Sequence, residues 1–348
     1  MTHKLLNDNG ITLWNDDKIN RFRATLLEWY DANKRDLPWR QTKDPYAIWV
    51  SEIMLQQTQV VTVIPYFKNF MHQFPTISAL ASAPEQQLLK AWEGLGYYSR
   101  VRNMQTASQQ IMNHYNGVMP NTYDELLKLK GIGNYTAGAI ASIAFGKPVG
   151  AVDGNVMRVM ARLFEINLDI GEPKNRKVFE YLTNVLIDPE RPGDFNQALM
   201  DLGSDICSAK NPKPEISPIR AFNQAYIHGT MDKYPIKRPK TKQQHVFYDA
   251  LVIENDKGEF LLQQRQNKGL LANMWTFPLI EIGKDVFESN EDVQSLGQVT
   301  HLFSHLKWHI RVISSNDTSL SGQWVHPKQF DAFPMPTPQL KMLALIKR

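Results

Sequence analysis

Between residues 16 and 228 apolar positions recur at helical spacing, in segments that open at signals such as Asp44-Pro45 and stop at glycines such as Gly117 and Gly146. That is the pattern of amphipathic helices with marked ends, and it predicts an all-α domain over 1–228. From His245 the period shortens to two. HVFYDALVI, the turn residues NDKG and then EFLLQQR predict a β-hairpin, and WTFPLIEI and KWHIRVIS add extended stretches, so 245–348 reads as an α+β domain. Between the two lies GTMDKYPIKRPKTKQQ, 229–244, with five Lys or Arg against one Asp, two prolines and little to bury. Its composition predicts a basic interdomain linker.

One interruption of the helical pattern is deliberate. In LKGIGNYTAG, 129–138, Gly131 and Gly133 break a run that is capped upstream by Thr122 and Glu125 and continues downstream through Ala137, Gly138, Ala139, Ala141 and Ala144. Two helices near 122–145 are therefore joined by a hairpin of roughly four residues. Its glycines permit positive φ and bare the backbone, so N–H groups at a helix N-terminus can converge on a phosphate. An ordinary tight helical hairpin has the same pattern.

Composition narrows the classes. The chain has 348 residues, 43% hydrophobic and 21% charged, which suits a folded protein of about two domains. A net charge of +4 is compatible with a polyanionic partner without requiring one. The N-terminus MTHKLLNDNG has no apolar signal core, and no run approaches the roughly 18 apolar residues of a membrane span. The single cysteine, Cys207, excludes an intrachain disulfide and suits a reducing compartment. A cytoplasmic protein is expected, nucleoid-associated if the chain is bacterial.

Two carboxylic acids stand out. Glu52, in WVSEIMLQQTQV, sits at helical spacing from Ile48 and Leu55, so its carboxyl group emerges on an apolar stripe, where desolvation would raise its pKa as a general acid requires. Such a residue is equally a core carboxylate satisfied by hydrogen bonds. Asp153, in GAVDGNVMRV, is placed as a helix N-cap, a position that favours the ionised form. An acid holding its proton beside one holding its charge is the arrangement that cleaves glycosidic bonds through an oxocarbenium-like transition state. GLGYYSRVRN, 94–103, interleaves aromatic and basic residues as insertion between bases and phosphate contact would need, or simply marks a helix junction.

LPWR at 37–40, SEIMLQQTQV at 51–60, GLGYYSR at 94–100, LKGIGNYTAGAI at 129–140 and AVDGNVMRV at 151–159 resemble, in order, the adenine DNA glycosylases of the MutY type within the helix-hairpin-helix superfamily. The resemblance implies a base excision repair enzyme that flips adenine mispaired with 8-oxoguanine or guanine out of duplex DNA and hydrolyses its N-glycosidic bond. By position it makes Glu52 the acid and Asp153 the stabiliser of the cationic sugar, with Tyr135 and Asn155 in support. Leu55, Gln57, Thr58 and Tyr97 become the residues that enter the duplex. Gly131 and Gly133 become the phosphate-gripping hairpin, with a monovalent cation on its carbonyls. The related endonuclease III-like enzymes carry a nucleophilic lysine where this chain has Tyr135, so a monofunctional enzyme without lyase activity is expected, acting as a monomer. The rivals are a bifunctional glycosylase/lyase and a catalytically inactive DNA-binding scaffold. No motif points to a protein partner.

The family's four cluster cysteines, spaced C-x6-C-x2-C-x5-C, fall here on Cys207, Pro214, Ser217 and Asn223. One thiolate cannot hold a four-iron cluster, so no iron-sulfur cluster and no other cofactor is expected, with prolines, Ile216 and Ile219 packing the loop instead. The second half resembles the family's Nudix-like domain, whose 8-oxoguanine readers correspond to Phe303, Ser304 and His305 in VTHLFSHLKWHI. His301, His305 and His309 share a spacing of four that could suggest a metal, but the strand-like alternation of KWHIRVIS would scatter them. No R-E-x-x-E-E helix follows WTFPLIEIGKDVFESNED to bind magnesium for nucleotide hydrolysis.

Overall fold

The computed structural model describes residues 3–238, 243–289 and 294–346. The chain forms two compact units that do not follow its order: one comprises Met1–Ala81 with Met104–Pro239, the other Ser82–Asn103 with Lys240–Arg348. A stretch from within the helical half of the sequence therefore packs with the C-terminal half.

The first unit is helical, as the periodicity predicts. Asp16–Asn33 starts where the Asn15 side chain accepts from Lys18 N at 2.9 Å, and Pro45–Leu55 starts where Asp44 accepts from Tyr46 N and Ala47 N. Pro45–Leu55 is apolar all round, with Tyr46 to Met54 buried, which is the signature of a helix running through a core. Phe22, Leu26, Val156, Met160, Phe179, Phe195 and Leu199 form the main core, contributed by Asp16–Asn33, Gly154–Leu163, Arg176–Leu186 and Pro192–Asp205. The first ten positions of the linker belong to this unit. Arg162 Nε donates to Tyr234 O at 2.9 Å and Ile170 N to Ile236 O at 3.0 Å, and positions 239–242 lie outside the described residues.

The hairpin differs in detail from expectation. Its first helix is only Tyr123–Leu126 and its second is Asn134–Ile143, so seven residues, 127–133, connect them. Thr122 caps the helix, with Glu125 N donating to Thr122 Oγ1 at 3.3 Å, and the reciprocal bond to the Glu125 carboxylate, at 2.7 Å, comes from the Thr122 hydroxyl where the expected capping box uses the backbone N–H. Only Gly131 uses the left-handed region, at φ 78°; Gly133, at φ −98° and ψ −179°, is an extended N-cap.

The second unit holds two sheets. β1 (Gln244–Val252) lies between β4 (Leu279–Ile282), antiparallel, and β6 (Leu306–Ser314), parallel, and β5 (Ser295–Leu302) pairs antiparallel with β6. The other sheet runs β3 (Trp275–Thr276), β2 (Phe260–Gln264), β7 (Gln323–Val325). The expected hairpin of β1 with β2 exists only at its turn, where Asn255 N donates to Glu259 O at 3.0 Å and Leu261 N to Ile253 O at 3.0 Å. Beyond it the two strands part into different sheets, because their apolar faces close on one core containing Ala250, Leu262, Phe277, Ile310 and Val312. Helix Thr337–Ile346 packs on β5 at Gly297, where a Cβ would come within 3.1 Å of Leu345 Cδ1.

Candidate active site

Helix Pro45–Leu55 presents Glu52 from inside the core, and helix Asn134–Ile143 presents Tyr135 from its first turn. The Tyr135 hydroxyl donates a short hydrogen bond to Glu52 Oε2, with Met200 Sδ 3.5 Å from the same hydroxyl. Asp153 caps helix Gly154–Leu163: its Oδ1 accepts from Val156 N at 2.8 Å and its Oδ2 from Asn155 Nδ2 at 2.8 Å. Glu52, Tyr135, Asp153 and Asn155 open onto one cleft of about 1060 Å³, whose rim carries Leu55, Gln57 and Thr58. Gln57 is exposed with φ 61°, a strained conformation for a side-chain-bearing residue and one that turns the chain outward just past the helix end.

Burial pushes the Glu52 carboxyl up to about 7, reinforced by the negative charge of Asp153; the Tyr135 hydrogen bond and the Arg40 charge oppose this and are outweighed. The Tyr135 phenol is held far above its ordinary range by burial and the two carboxylates, so it stays a donor. Asp153 departs from expectation. It is the N-cap predicted, yet burial raises its carboxyl, outweighing the Val156 and Asn155 hydrogen bonds and the Arg158 charge that favour ionisation. Asp153 nonetheless has more partners for its charge than Glu52 has. The pair therefore divides with the proton on Glu52 and the charge on Asp153.

Several contributors were not identified from sequence. Asp201, buried on helix Pro192–Asp205, receives a bidentate pair from Arg40 at 2.8 and 3.0 Å and a further short bond from Arg35, which fixes the LPWR turn at the cleft wall. Arg158 orients Asn155: its Nη2 donates to Asn155 Oδ1 and to Gly203 O, both at 2.7 Å, which leaves the Asn155 amide N–H for Asp153. A Cβ on Gly203 would come within 2.7 Å of the Asn155 Cβ, so the two helices touch here. Arg158→Ala should therefore cost about 2–3 kcal/mol by stranding these acceptors, with a matching loss of turnover as Asn155 rotates, both measured on the purified variant by denaturation and single-turnover kinetics.

The same arginine reaches the backbone carbonyl of the chain's one cysteine, Cys207, and a second arginine reaches its thiol. Arg158 Nε donates to Cys207 O at 2.7 Å, and Arg162 Nη1 lies 3.2 Å from Cys207 Sγ, the thiol being buried. Around it Ile219 is buried as expected, but Ile216 is 66% exposed. Their positions differ because Pro214–Ile216 forms a short 3-10 turn whose outer side carries Ile216.

The other predicted residues divide between the units. Gly131 and Gly133 are exposed on the hairpin of the first. Tyr97, Phe303, Ser304 and His305 line a cavity of about 400 Å³ in the second. The loop closes β5 to β6, with Phe303 N donating to Leu306 O at 2.8 Å, the Phe303 ring edge-on to Trp308 at 4.9 Å and His301 edge-on to Phe303 at 4.5 Å. Burial and Lys341 push His301 down to about 4, so the imidazole is neutral. The three histidines do not converge: His309 pairs instead with His245 at 3.2 Å, and the described residues contain no metal-binding cluster. The arginines of GLGYYSRVRN are engaged within the protein and do not extend towards phosphate: Arg100 is buried on Leu95 O and Gly96 O beneath the Trp92 and Tyr97 rings, and Arg102 binds Glu85. Among the described residues, no helix is long and apolar enough to cross a membrane.

A helical unit whose hairpin helix carries Tyr135 into one cleft with the Glu52 and Asp153 carboxyl groups defines a DNA base excision glycosylase fold. Residues 50–186 match the HhH-GPD superfamily base excision DNA repair protein family, and 249–345 match the NUDIX domain family. The helical part is similar to the solved structure of a thermostable thymine-DNA glycosylase, at TM-score 0.56 and 29% identity over 61% of this chain and 98% of that one. An adenine DNA glycosylase of Buchnera aphidicola subsp. Baizongia pistaciae is 34% identical over 94% of this chain and 97% of its own. One from Arabidopsis thaliana is 36% identical over 86% of this chain, which spans 58% of that longer protein. The chain belongs to the adenine DNA glycosylase family.

Proposed function

We propose that this chain is a monofunctional glycosylase that releases adenine paired with 8-oxoguanine or guanine in duplex DNA. The adenine nucleotide is flipped into the cleft. Protonated Glu52 gives its proton to N7 of the departing base, weakening the bond to C1′, while the Asp153 carboxylate faces the positive charge that develops on the sugar. Glu52, now ionised, takes a proton from the attacking water, and the products are free adenine and an abasic site in an unbroken strand. Tyr135 holds the Glu52 carboxyl and Asn155 the Asp153 carboxyl in place. The observation that carries this reading is the buried Glu52, held near neutrality and bonded to Tyr135, in one cleft with a hydrogen-bonded Asp153. The absence of a lyase step is supported by the phenol at position 135, which cannot form a Schiff base, and by Lys130, exposed outside the cleft.

Further parts of the reading rest on fit. The bared hairpin at Gly131–Gly133 suits a backbone phosphate, with a monovalent cation on its carbonyls, and the cavity at Phe303–His305 suits the oxidised base, Ser304 accepting its N7 hydrogen. A four-iron cluster does not fit: besides Cys207 the corresponding places hold Pro214, Ser217 and Asn223, and the space between them is closed to about 10 Å³ by Val159, Leu163, Leu202 and Ile219. The enzyme would then work without iron, as a monomer on DNA. The test is incubation of iron-free protein with a labelled duplex carrying adenine opposite 8-oxoguanine, scoring base release separately from strand breakage. Adenine release with strands intact until alkali is added is expected. Breakage without alkali, or release that requires added iron, would overturn the reading.

A further inference from the structure

The cavity of the second unit is built by two stretches remote in sequence, Gly94–Arg102 and the loops that contribute Leu270, Leu271 and Phe303–His305. Hydrogen bonds outside the cavity join the first stretch to the loop that contributes Leu270 and Leu271. Glu85 stands at the centre: its Oε1 accepts from Arg102 Nε at 2.7 Å and its Oε2 from Asn273 Nδ2 at 2.9 Å, while Arg102 also donates to Ala272 O. Beside it Gln86 Nε2 donates to Asn273 O at 3.2 Å, and Gln86 Oε1 accepts from Trp275 Nε1 at 3.2 Å. The loop so gripped turns at Gly269, φ 87°, which glycine adopts freely, and is strained at Leu271 and Asn273, φ 58° and 56°. Along it the roles divide in two: Gly269, Leu270 and Leu271 line the cavity, whereas Ala272 and Asn273 make the clamp bonds. On the other side Arg102 both lines the cavity and ends on Glu85, five residues after Tyr97, itself held at φ 48° and half exposed.

We propose that the Glu85 clamp is a positioning device for lesion recognition: by joining Arg102 to Ala272 and Asn273 it sets the spacing between Tyr97 and the Gly269–Leu271 wall of the cavity that Phe303–His305 also line, and so governs discrimination of 8-oxoguanine from guanine. A partly exposed ion pair alone would matter little. Here one carboxylate is shared by Arg102, in one wall of the cavity, and by Asn273, two residues after Leu271 in another, and a shift of one wall of about 1 Å is enough to spoil recognition. The inference rests on the cavity being the lesion reader.

The test uses the full chain carrying Glu85→Ala or Asn273→Gly; glycine accepts the φ of position 273 without strain, so the second variant removes the side-chain bond alone. Equilibrium affinity is measured for duplexes with 8-oxoguanine or guanine opposite 2′-fluoro-2′-deoxyadenosine, whose fluorine opposes formation of the cationic sugar and keeps the base attached. Both variants are expected to lose about tenfold or more of the preference for 8-oxoguanine while affinity for the guanine duplex changes by less than about threefold. An intact preference, a parallel loss on both duplexes, or a wild-type chain with no preference would each overturn the proposal. A wild-type chain that prefers the lesion but releases no adenine would refute the catalytic reading and leave this one standing.

Discussion

Glu52→Gln is expected to slow single-turnover adenine release by roughly 10²–10⁴-fold, the range a positioned general acid contributes. The amide keeps an oxygen to accept from Tyr135, so the cleft should hold its shape and the loss should report the missing proton. A rate within about threefold of wild type would remove Glu52 from the chemistry. The wild-type pH profile should agree. With the Glu52 carboxyl near 7, the rate of release should fall about tenfold per pH unit above that value. On the acid side it should fall as Asp153 protonates, at a pH above the ordinary 3.8 of an aspartate.

Glu52→Gln should gain stability at the alkaline pH where the wild-type carboxyl is ionised. The native Glu52 carboxyl, at about 7, holds its proton more tightly than the 4.5 of the unfolded chain. Its contribution is thus fully present below about 4.5 and is lost as pH rises through about 7, on the order of 3 kcal/mol by pH 8. Glutamine has no charge to bury. The variant should match wild type in urea denaturation at acid pH and exceed it at pH 8, a gap that vanishes if the carboxyl is not desolvated.

Asp153→Asn is expected to cost roughly 10²–10³ in the rate of base release, the scale for removing one preorganised electrostatic partner of a developing charge. Asparagine is as good an N-cap as aspartate, so helix Gly154–Leu163 should persist. It offers only one acceptor oxygen, however, where the carboxylate takes bonds from both Val156 N and Asn155 Nδ2. Arg158, through its bond to Asn155 Oδ1, resists the amide flip that would repair the mismatch, and about 1–2 kcal/mol of stability should go with it. Loss of the negative charge should also lower the Glu52 carboxyl and move the alkaline limb of the profile to lower pH. Stopped or quenched single-turnover measurements across pH check both. A rate near wild type with an unshifted alkaline limb would show that Asp153 does not face the reacting sugar.

How far the site could be read in advance depended on how local each signal was. Glu52, Tyr135, Asp153 and Asn155 lie in short motifs whose helical context is carried by neighbouring residues, and all four reach one cleft. Their electrostatics were only half legible. The apolar stripe around Glu52 foretold a raised carboxyl, but the N-cap at Asp153 suggested a lowered one, because burial of that residue comes from elements that its own motif does not contain. Arg40 and Arg35 meet Asp201 across 161 and 166 residues, and nothing near LPWR announces that partner. In the same way Ile216 and Ile219, three residues apart and equally apolar, end one outside and one inside.

Read along the chain, the residues settle what is short-range: helix starts at Asp44 and Asp153, the N-cap at Thr122 and the turn at Asn255. These follow from the chain's own hydrogen-bonding and steric preferences over three or four positions. Folding in three dimensions settles the rest: β1 beside β6 and not β2, Ser82–Asn103 within the C-terminal unit, and Arg100 buried beneath Tyr97. Each of those outcomes follows from which apolar surfaces meet and which buried charges find partners, and both depend on packing between segments that the sequence keeps far apart.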